Sequence, residues 1–256
     1  MRARRLFAIA CLGAGLAGAA LGGAGCTPGP IEVATLPSGT LANEMVAYWP
    51  LDEGSGTLAN DASGNGRNGF IAGPAWIPGE FKSALHFSSA SYMSAANIPA
   101  AMPSFSVSAW ALIEPNEISG PIANMVSTDI QGGGWALYAT MSPGNENYVF
   151  HFFAPDAPYG YWQVQLPLVT GSWVHLAAVV DGVANTLTLY ANGATDTISV
   201  PNTILPGSNT LYLGRSAALN PPFPLTGALD DVAIFSAALV QQEVAQLGQG
   251  PALPSQ

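Results

Sequence analysis

Cysteine, basic residues and long apolar runs are all scarce in this chain, and each shortage closes off a class of protein. There are two cysteines in 256 residues, Cys11 and Cys26. Both lie at the amino terminus, so the rest of the chain has no thiol for a disulfide or a Cys-x-x-Cys metal site. Six residues are Lys or Arg, and three of them, Arg2, Arg4 and Arg5, precede the apolar run that opens the chain. Beyond that run Arg67, Lys82 and Arg215 face 16 acids, a net charge of −13. Nucleic acid and anionic lipid surfaces are bound by clustered cations, so both are excluded as electrostatic partners. The apolar run itself, Leu6 to Leu21, is Gly-rich and falls short of the roughly 20 residues a membrane span needs, which makes a transmembrane helix its weaker reading.

The amino terminus has instead the order of a secretory signal over residues 1–25: charged, apolar, then small residues. Arg4-Arg5-Leu6-Phe7 also resembles a twin-arginine export signal. Cys26 ends the run Leu21-Gly22-Gly23-Ala24-Gly25-Cys26. Its small residues resemble the lipobox of bacterial lipoproteins, with Gly23 departing from the aliphatic residue usual there. One reading makes Cys26 a spare thiol beyond a cleavage near Ala19 or Ala20. The favoured one makes it the lipid-modified first residue of an exported chain held at the cell envelope. Residues 26–43, with Pro28, Gly29, Pro30, Pro37 and Gly39, read as a flexible tether averaging about 25 Å end to end.

Residues 44–248 show no linker-like break and suit one domain. Phe105-Ser106-Val107-Ser108-Ala109-Trp110-Ala111-Leu112-Ile113 alternates and then turns apolar on both faces, as an inner strand does. Trp135 to Met141, Tyr148 to Phe153, Trp173 to Val180, Thr186 to Ala191, Leu211 to Arg215 and Ala228 to Phe235 read as further strands. Asp181-Gly182 and Asn192-Gly193 are turn dipeptides, the second a strong hairpin signal. Val240, Val244 and Leu247, followed by Gly248, mark one short carboxy-terminal helix, with residues 249–256 as a disordered tail. The expectation is an all-β chain in two packed antiparallel sheets.

The order of several segments resembles the laminin G-like jelly roll of the concanavalin A-like lectin/glucanase superfamily. They are Tyr48-Trp49-Pro50-Leu51-Asp52-Glu53-Gly54-Ser55-Gly56, Asp61-Ala62-Ser63-Gly64-Asn65-Gly66-Arg67-Asn68-Gly69 and Phe81-Lys82-Ser83-Ala84-Leu85-His86-Phe87. Then come Phe105 to Trp110, Trp173-Val174-His175-Leu176-Ala177, Leu189-Tyr190-Ala191-Asn192-Gly193 and Gly227 to Phe235. The resemblance covers residues 45–248 and implies a jelly-roll sandwich. It does not fix function, because such folds host lectins, hydrolases and adhesion modules alike.

The superfamily's glucanase branch makes catalysis a question. Retaining glycoside hydrolysis needs two carboxyl groups about 5–5.5 Å apart. Asp52-Glu53 and Asp230-Asp231 are adjacent pairs, and neighbours on a strand point to opposite faces. No Gly-x-Ser-x-Gly elbow or His-x-x-x-His spacing is present, and His86, His151 and His175 all sit in apolar strand segments. The expectation is a protein that is not an enzyme.

Calcium is the one cofactor with a sequence argument. Asp61-x-Ser63-x-Asn65-Gly66 resembles the start of a calcium loop, although Ala72 stands where an EF-hand has glutamate. The resemblance places the first and last strands side by side, bringing Glu53 near the start of the last. Asp230 shares parity with Val232 and Ile234, so it is expected to be buried with them and in need of a partner. Glu53, Asp61, Asn68 and Asp230 are therefore the candidate ligands of a structural calcium. The alternative is an Asx-turn loop and a carboxylate that caps backbone N–H groups.

For ligand binding, Tyr159, Tyr161 and Trp162 stand out, because they flank the loop Ala154-Pro155-Asp156-Ala157-Pro158 and combine apolar bodies with polar tips. The functional expectation is a non-catalytic envelope module that binds a glycan or a protein partner. A structural or adhesion scaffold without a small ligand, and an unrecognised carbohydrate-active hydrolase, are the alternatives. The charge balance argues against anionic glycans.

Overall fold

Asn192 and Gly193 both adopt positive φ, 47° and 84°, the geometry of a two-residue hairpin turn. The strands on either side pair in register, Ala191 with Ala194 and Thr186 with Ser199. The same logic of short turns between alternating segments builds the whole domain. The computed structural model describes residues 40–88, 91–115, 122–201, 203–217 and 223–250. The signal, Cys26, most of the tether and residues 251–256 of the expected tail lie outside the described residues.

In chain order, α1 (Thr40–Glu44) leads into β1 (Met45–Trp49), β2 (Leu58–Ala59), β3 (Gly69–Ala72), β4 (Ala75–Pro78), β5 (Ser83–Phe87) and β6 (Tyr92–Ala95). The middle of the chain forms β7 (Phe105–Ile113), β8 (Ile122–Ser127), β9 (Trp135–Ser142), β10 (Asn145–Phe153) and β11 (Tyr161–Pro167). The last part forms β12 (Trp173–Asp181), β13 (Thr186–Ala191), β14 (Ala194–Ser199), β15 (Leu211–Leu213), β16 (Gly227–Phe235) and α2 (Gln241–Leu247). These strands make two antiparallel eight-stranded sheets. The first runs β14-β13-β12-β7-β16-β5-β4, with β1 also paired to β16; the second runs β11-β10-β9-β8-β15-β6-β3-β2. The all-β jelly-roll sandwich expected from the sequence is what the chain forms.

Large apolar side chains from both sheets fill the space between them. Phe105 of the first sheet meets Trp135 and Phe150 of the second at ring-centroid distances of 5.5 and 6.1 Å. Trp49, Phe87, Leu137, Phe152, Leu229, Val232 and Ile234 belong to the same core. The outer face of the first sheet is also covered. Val244 and Leu247 of α2 pack there with Leu41, Met45, Tyr48, Val179 and Phe235.

Ahead of residue 44, Thr40–Glu44 is helical and Leu41 is buried in α2's cluster. Two expectations are corrected. Val240 does not share α2's buried stripe. It is the helix N-cap and 58% exposed, and Glu243 accepts a hydrogen bond from its backbone N–H. Asp230 does not share the face of Val232 and Ile234. A β-bulge between Asp230 and Ala233, with Asp231 at φ 47°, resets the alternation. Leu229, Val232 and Ile234 point into the core, while Asp230 pairs across the ladder with Trp110 on the outer side.

Candidate ligand-binding face

Strands β8 to β11 send alternate side chains into the core and outward. Leu137, Phe150, Phe152 and Val164 go inward. The neighbours of opposite parity are Tyr138, His151, Phe153, Tyr161 and Gln163. The ladder sets His151 opposite Ala136 and Gln163, and Phe153 opposite Tyr161. No helix among the described residues packs on this face. His151 stands at its centre, ringed by Tyr138, Phe153 and Tyr161 at 5.3, 5.2 and 5.5 Å between centroids.

Beneath the imidazole lies Asp129, just past the end of β8 and 4% exposed. Its Oδ2 is 3.7 Å from His151 Nε2, and its Oδ1 accepts hydrogen bonds from Ser127 Oγ and, at 2.9 Å, from Ser216 Oγ. Burial alone would raise the Asp129 carboxyl, but His151 and the two hydroxyls outweigh it and hold the group below its ordinary value. Asp129 is therefore ionised, its Oδ1 committed to the two hydroxyls and its Oδ2 facing His151 Nε2, which is buried without a hydrogen-bond partner. Tyr138 is pushed above the ordinary tyrosine range, first by burial and then by Tyr161 and Asp129, so its hydroxyl stays protonated.

The three aromatic residues singled out from the sequence come together at the edge of this face. Tyr159, Tyr161 and Trp162, with Pro158, Gln163 and Ile198 of β14, line a groove of about 390 Å³. The 154–160 loop forms one wall, closed on itself by Ala154 N–H donating to Gly160 O and Gly160 N–H to Ala157 O, both at 3.0 Å. Tyr159 projects from it, 83% exposed. Trp162 packs its ring against the core while its indole Nε1 is buried with no hydrogen-bond partner. Tyr161 belongs both to the groove and to the His151 cluster, which joins the two into one surface. Asp129 and Tyr138 were not singled out in the sequence and His151 was read only as a residue of an apolar strand segment, because β9 and β10 are apolar on both faces for much of their length and period-two alternation has little contrast there.

Of the four candidate calcium ligands, Asp61 and Asn68 are bonded to each other, while Glu53 and Asp230 are bonded to other partners. Asp61 Oδ1 accepts from the N–H groups of Tyr48 and Ser63 at 3.0 and 2.9 Å, and Oδ2 from Arg67 N–H at 2.8 Å. These bonds outweigh the effect of burial and hold Asp61 below its ordinary value. Asn68 Oδ1 accepts from Asp61 N–H. Glu53 Oε1 binds Asn60 through its backbone and side chain, while Oε2 is buried without a partner. Asp230 is fully buried and accepts from Phe81 and Asp231 N–H at 3.0 and 2.9 Å. Calcium takes six to eight oxygens, and of these side chains only Glu53 retains a buried oxygen not already committed. Among the described residues no three acidic, histidine or cysteine side chains converge.

The first and last strands do lie side by side and antiparallel, Trp49 opposite Val232 and Tyr48 opposite Ala233. The acid that acts electrostatically on the Asp230-Asp231 pair is Asp52, the neighbour of the expected Glu53. Asp52 itself is ion-paired to Lys82 at 2.7 Å, and Tyr48 Oη donates to Asp231 Oδ1.

Solved structures share this fold. The binding domain of Paraclostridial Mosquitocidal Protein 1 superposes with a TM-score of 0.63 at 19% identity, over 81% of this chain and 52% of its own. The receptor binding domain of botulinum neurotoxin mosaic serotype C/D gives 0.64 at 14%, over 82% and 52%. Domain 4 of AbnA, a GH43 extracellular arabinanase from Geobacillus stearothermophilus solved with arabinotriose, gives 0.61 at 20%, over 80% and 98%. This chain thus spans about half the length of the toxin domains and nearly all of the arabinanase domain. At these identities the likeness is one of fold. No curated protein sequence matches the chain. A family profile does, over residues 87–245 and so over more than half of the sequence, and by that match the chain belongs to the laminin G-type branch of the concanavalin A-like lectin/glucanases superfamily.

Proposed function

We propose that this chain is a non-catalytic binding module of the cell envelope that receives a glycan on the outer face of its second sheet. The observation that carries the reading is the groove of Tyr159, Tyr161 and Trp162 running into the His151 cluster. Aromatic faces suit the C–H faces of sugars, while Gln163, the tyrosine hydroxyls and the imidazole supply polar contacts. Similar folds include an arabinanase domain solved with arabinotriose and receptor-binding domains of toxins, which supports binding as the role. Asp129, the buried acid of this face, is 4% exposed and has Oδ1 committed to two serines, which supports the absence of catalysis.

The test is a glycan array followed by calorimetry on the mature chain. Tyr161→Ala and Trp162→Ala should each weaken the best hit by about tenfold or more, a hot-spot loss of ~1.4 kcal/mol. An array without hits would leave the protein-partner or scaffold reading in its place, and hits indifferent to both changes would put the glycan site off this face.

Two further parts of the reading concern how the domain is held. Export with a lipid on Cys26 predicts that Cys26→Ser moves the chain from the membrane to the soluble fraction of its host; an unchanged distribution removes the anchor. A structural calcium would have to be received at Glu53 Oε2. If it is, EDTA lowers the melting temperature and calcium restores it, whereas no shift assigns the whole seam to hydrogen bonds.

A further inference from the structure

Beyond residue 39 the chain carries three basic side chains, and two of them are spent on the fold. Arg67 donates to the carbonyls of Val46 and Asn97, and Lys82 pairs with Asp52. Arg215 differs. Its guanidinium carbon lies 4.7 Å from the Tyr92 ring centroid and 5.0 Å from that of Tyr212, and its Nε donates to Ser216 O at 3.3 Å. Its two terminal nitrogens have no hydrogen-bond or ion-pair partner among the described residues.

The placement is built. Met93, Leu211 and Leu213 face the core, so Tyr92 on β6 and Tyr212 on β15 stand on the outer face of the second sheet, the face of His151. Gly214 fixes the turn that aims Arg215. It has φ 83°, and a Cβ there would come within 2.2 Å of the fully buried Phe87 ring. Its N–H donates to Met125 O and its carbonyl accepts from Leu225 N–H, which pins the backbone on both sides. Ser216, which follows Arg215, donates to Asp129, the acid that faces His151 at 3.7 Å. Four strand spacings separate β15 from β11, about 19 Å, a span an oligosaccharide of several units covers.

The two rings touch each other, their centroids 5.9 Å apart, so the guanidinium rests on the pair, which holds it in place and leaves its two terminal nitrogens for a carboxylate, a group that a guanidinium meets with two parallel hydrogen bonds. We propose that Arg215 is a carboxylate-binding subsite and that this face takes an oligosaccharide carrying a single uronic acid, a refinement that rests on the reading of the face as glycan-binding. The net charge of −13 disfavours polyanions. It does not disfavour one carboxylate, because charges more than about 8 Å away are largely screened at physiological salt.

The test uses the mature chain and matched pairs of oligosaccharides, each capped by one glucuronate or by glucose, its carboxyl-reduced counterpart. The acidic member should bind about tenfold tighter. Arg215→Gln should abolish that preference, and Arg215→Lys, which keeps the charge and loses the fork, should restore little of it. In the unaltered protein, raising NaCl from about 50 to about 500 mM should weaken the acidic ligand and spare the neutral one. This arm decides the matter if the Arg215 variants do not fold. Equal binding of both members, a preference that survives Arg215→Gln, or one insensitive to salt overturns the subsite while the glycan reading stands. Binding of neither member in any pair overturns both.

Discussion

Trp49→Ala is expected to lower the stability of the domain by about 4 kcal/mol, the middle of the range for truncating a buried aromatic residue. Trp49 has no exposed surface, lies in the main core and sits in the ladder between the first and last strands, opposite Val232. Its indole Nε1 donates to Arg67 O at 2.9 Å. Arg67 N–H in turn donates to Asp61, and Arg67 Nη1 to Val46 O. One side chain therefore fills the core where the chain ends meet and ties β1 to the 61–69 loop. Its removal leaves a cavity and strands a carbonyl acceptor. At roughly 2–4 °C per kcal/mol for a domain of this size, the melting temperature should fall by about 8–16 °C. In urea the midpoint should drop with an unchanged m-value. A loss under about 1 kcal/mol would mean that the seam is not where the fold is closed.

The second large effect is a pH dependence whose direction one substitution reverses. Asp230 is pushed up to about 7, first by burial and then by Asp231; Asp231 is pushed up to about 6, first by burial and then by Asp52. A carboxyl whose folded value is raised binds its proton more tightly in the folded state. Its contribution is complete below the unfolded value near 4 and is lost as pH rises through 6 to 7. His175 works in the opposite direction. It is buried between Ser108, 2.9 Å from its Nε2, and the Trp110 ring, and burial pushes it down to about 4. Its contribution is present above the unfolded value near 6.5 and is lost as pH falls from there toward 4.

Between pH 8 and pH 5.5 the two acids together outweigh the histidine, and stability should rise on acidification by about 1 kcal/mol. In Asp230→Asn the larger acid contribution is gone and that of His175 remains, so the same acidification should leave stability flat or lower it. Chemical denaturation at a series of pH values reads the slope directly. It does so whatever the substitution costs at one pH. A variant whose slope matches that of the parent would remove Asp230 as the titrating group.

Regular alternation made much of the fold legible in the sequence. Phe105 to Ile113 is β7 end to end, Thr186 to Ala191 is β13, and Asn192-Gly193 forms the turn it signals. β8 was not legible: its pairing with β9 shifts register between Asn124 and Val126, which breaks the period a reader needs. The bulge at Asp231 was hidden for another reason. Aspartate accepts a positive φ with little penalty, so nothing in Asp230-Asp231 announces that the alternation resets there. That single reset moved Asp230 from the core side to the outer side of its sheet. It keeps the expected burial but gains backbone partners from the 79–82 turn.

The candidate site divides in the same way. Tyr159, Tyr161 and Trp162 were visible because aromatic residues beside a Pro- and Gly-containing loop are out of place as core. Arg215 was visible only as a count of scarce cations. Its setting depends on Tyr92, more than a hundred residues earlier in the chain and brought alongside Tyr212 by the pairing of β6 with β15. Asp129 and His151 are likewise joined by sheet order and not by sequence spacing.

The packing of Leu41 beside α2 gives the domain a back and a front. The polypeptide enters the sandwich behind the first sheet, and the aromatic platform lies on the far side of the second. The side on which Leu41 packs and the side that carries the platform are therefore different surfaces of the sandwich, and a ligand seated on the platform leaves the packing of Leu41 against α2 untouched.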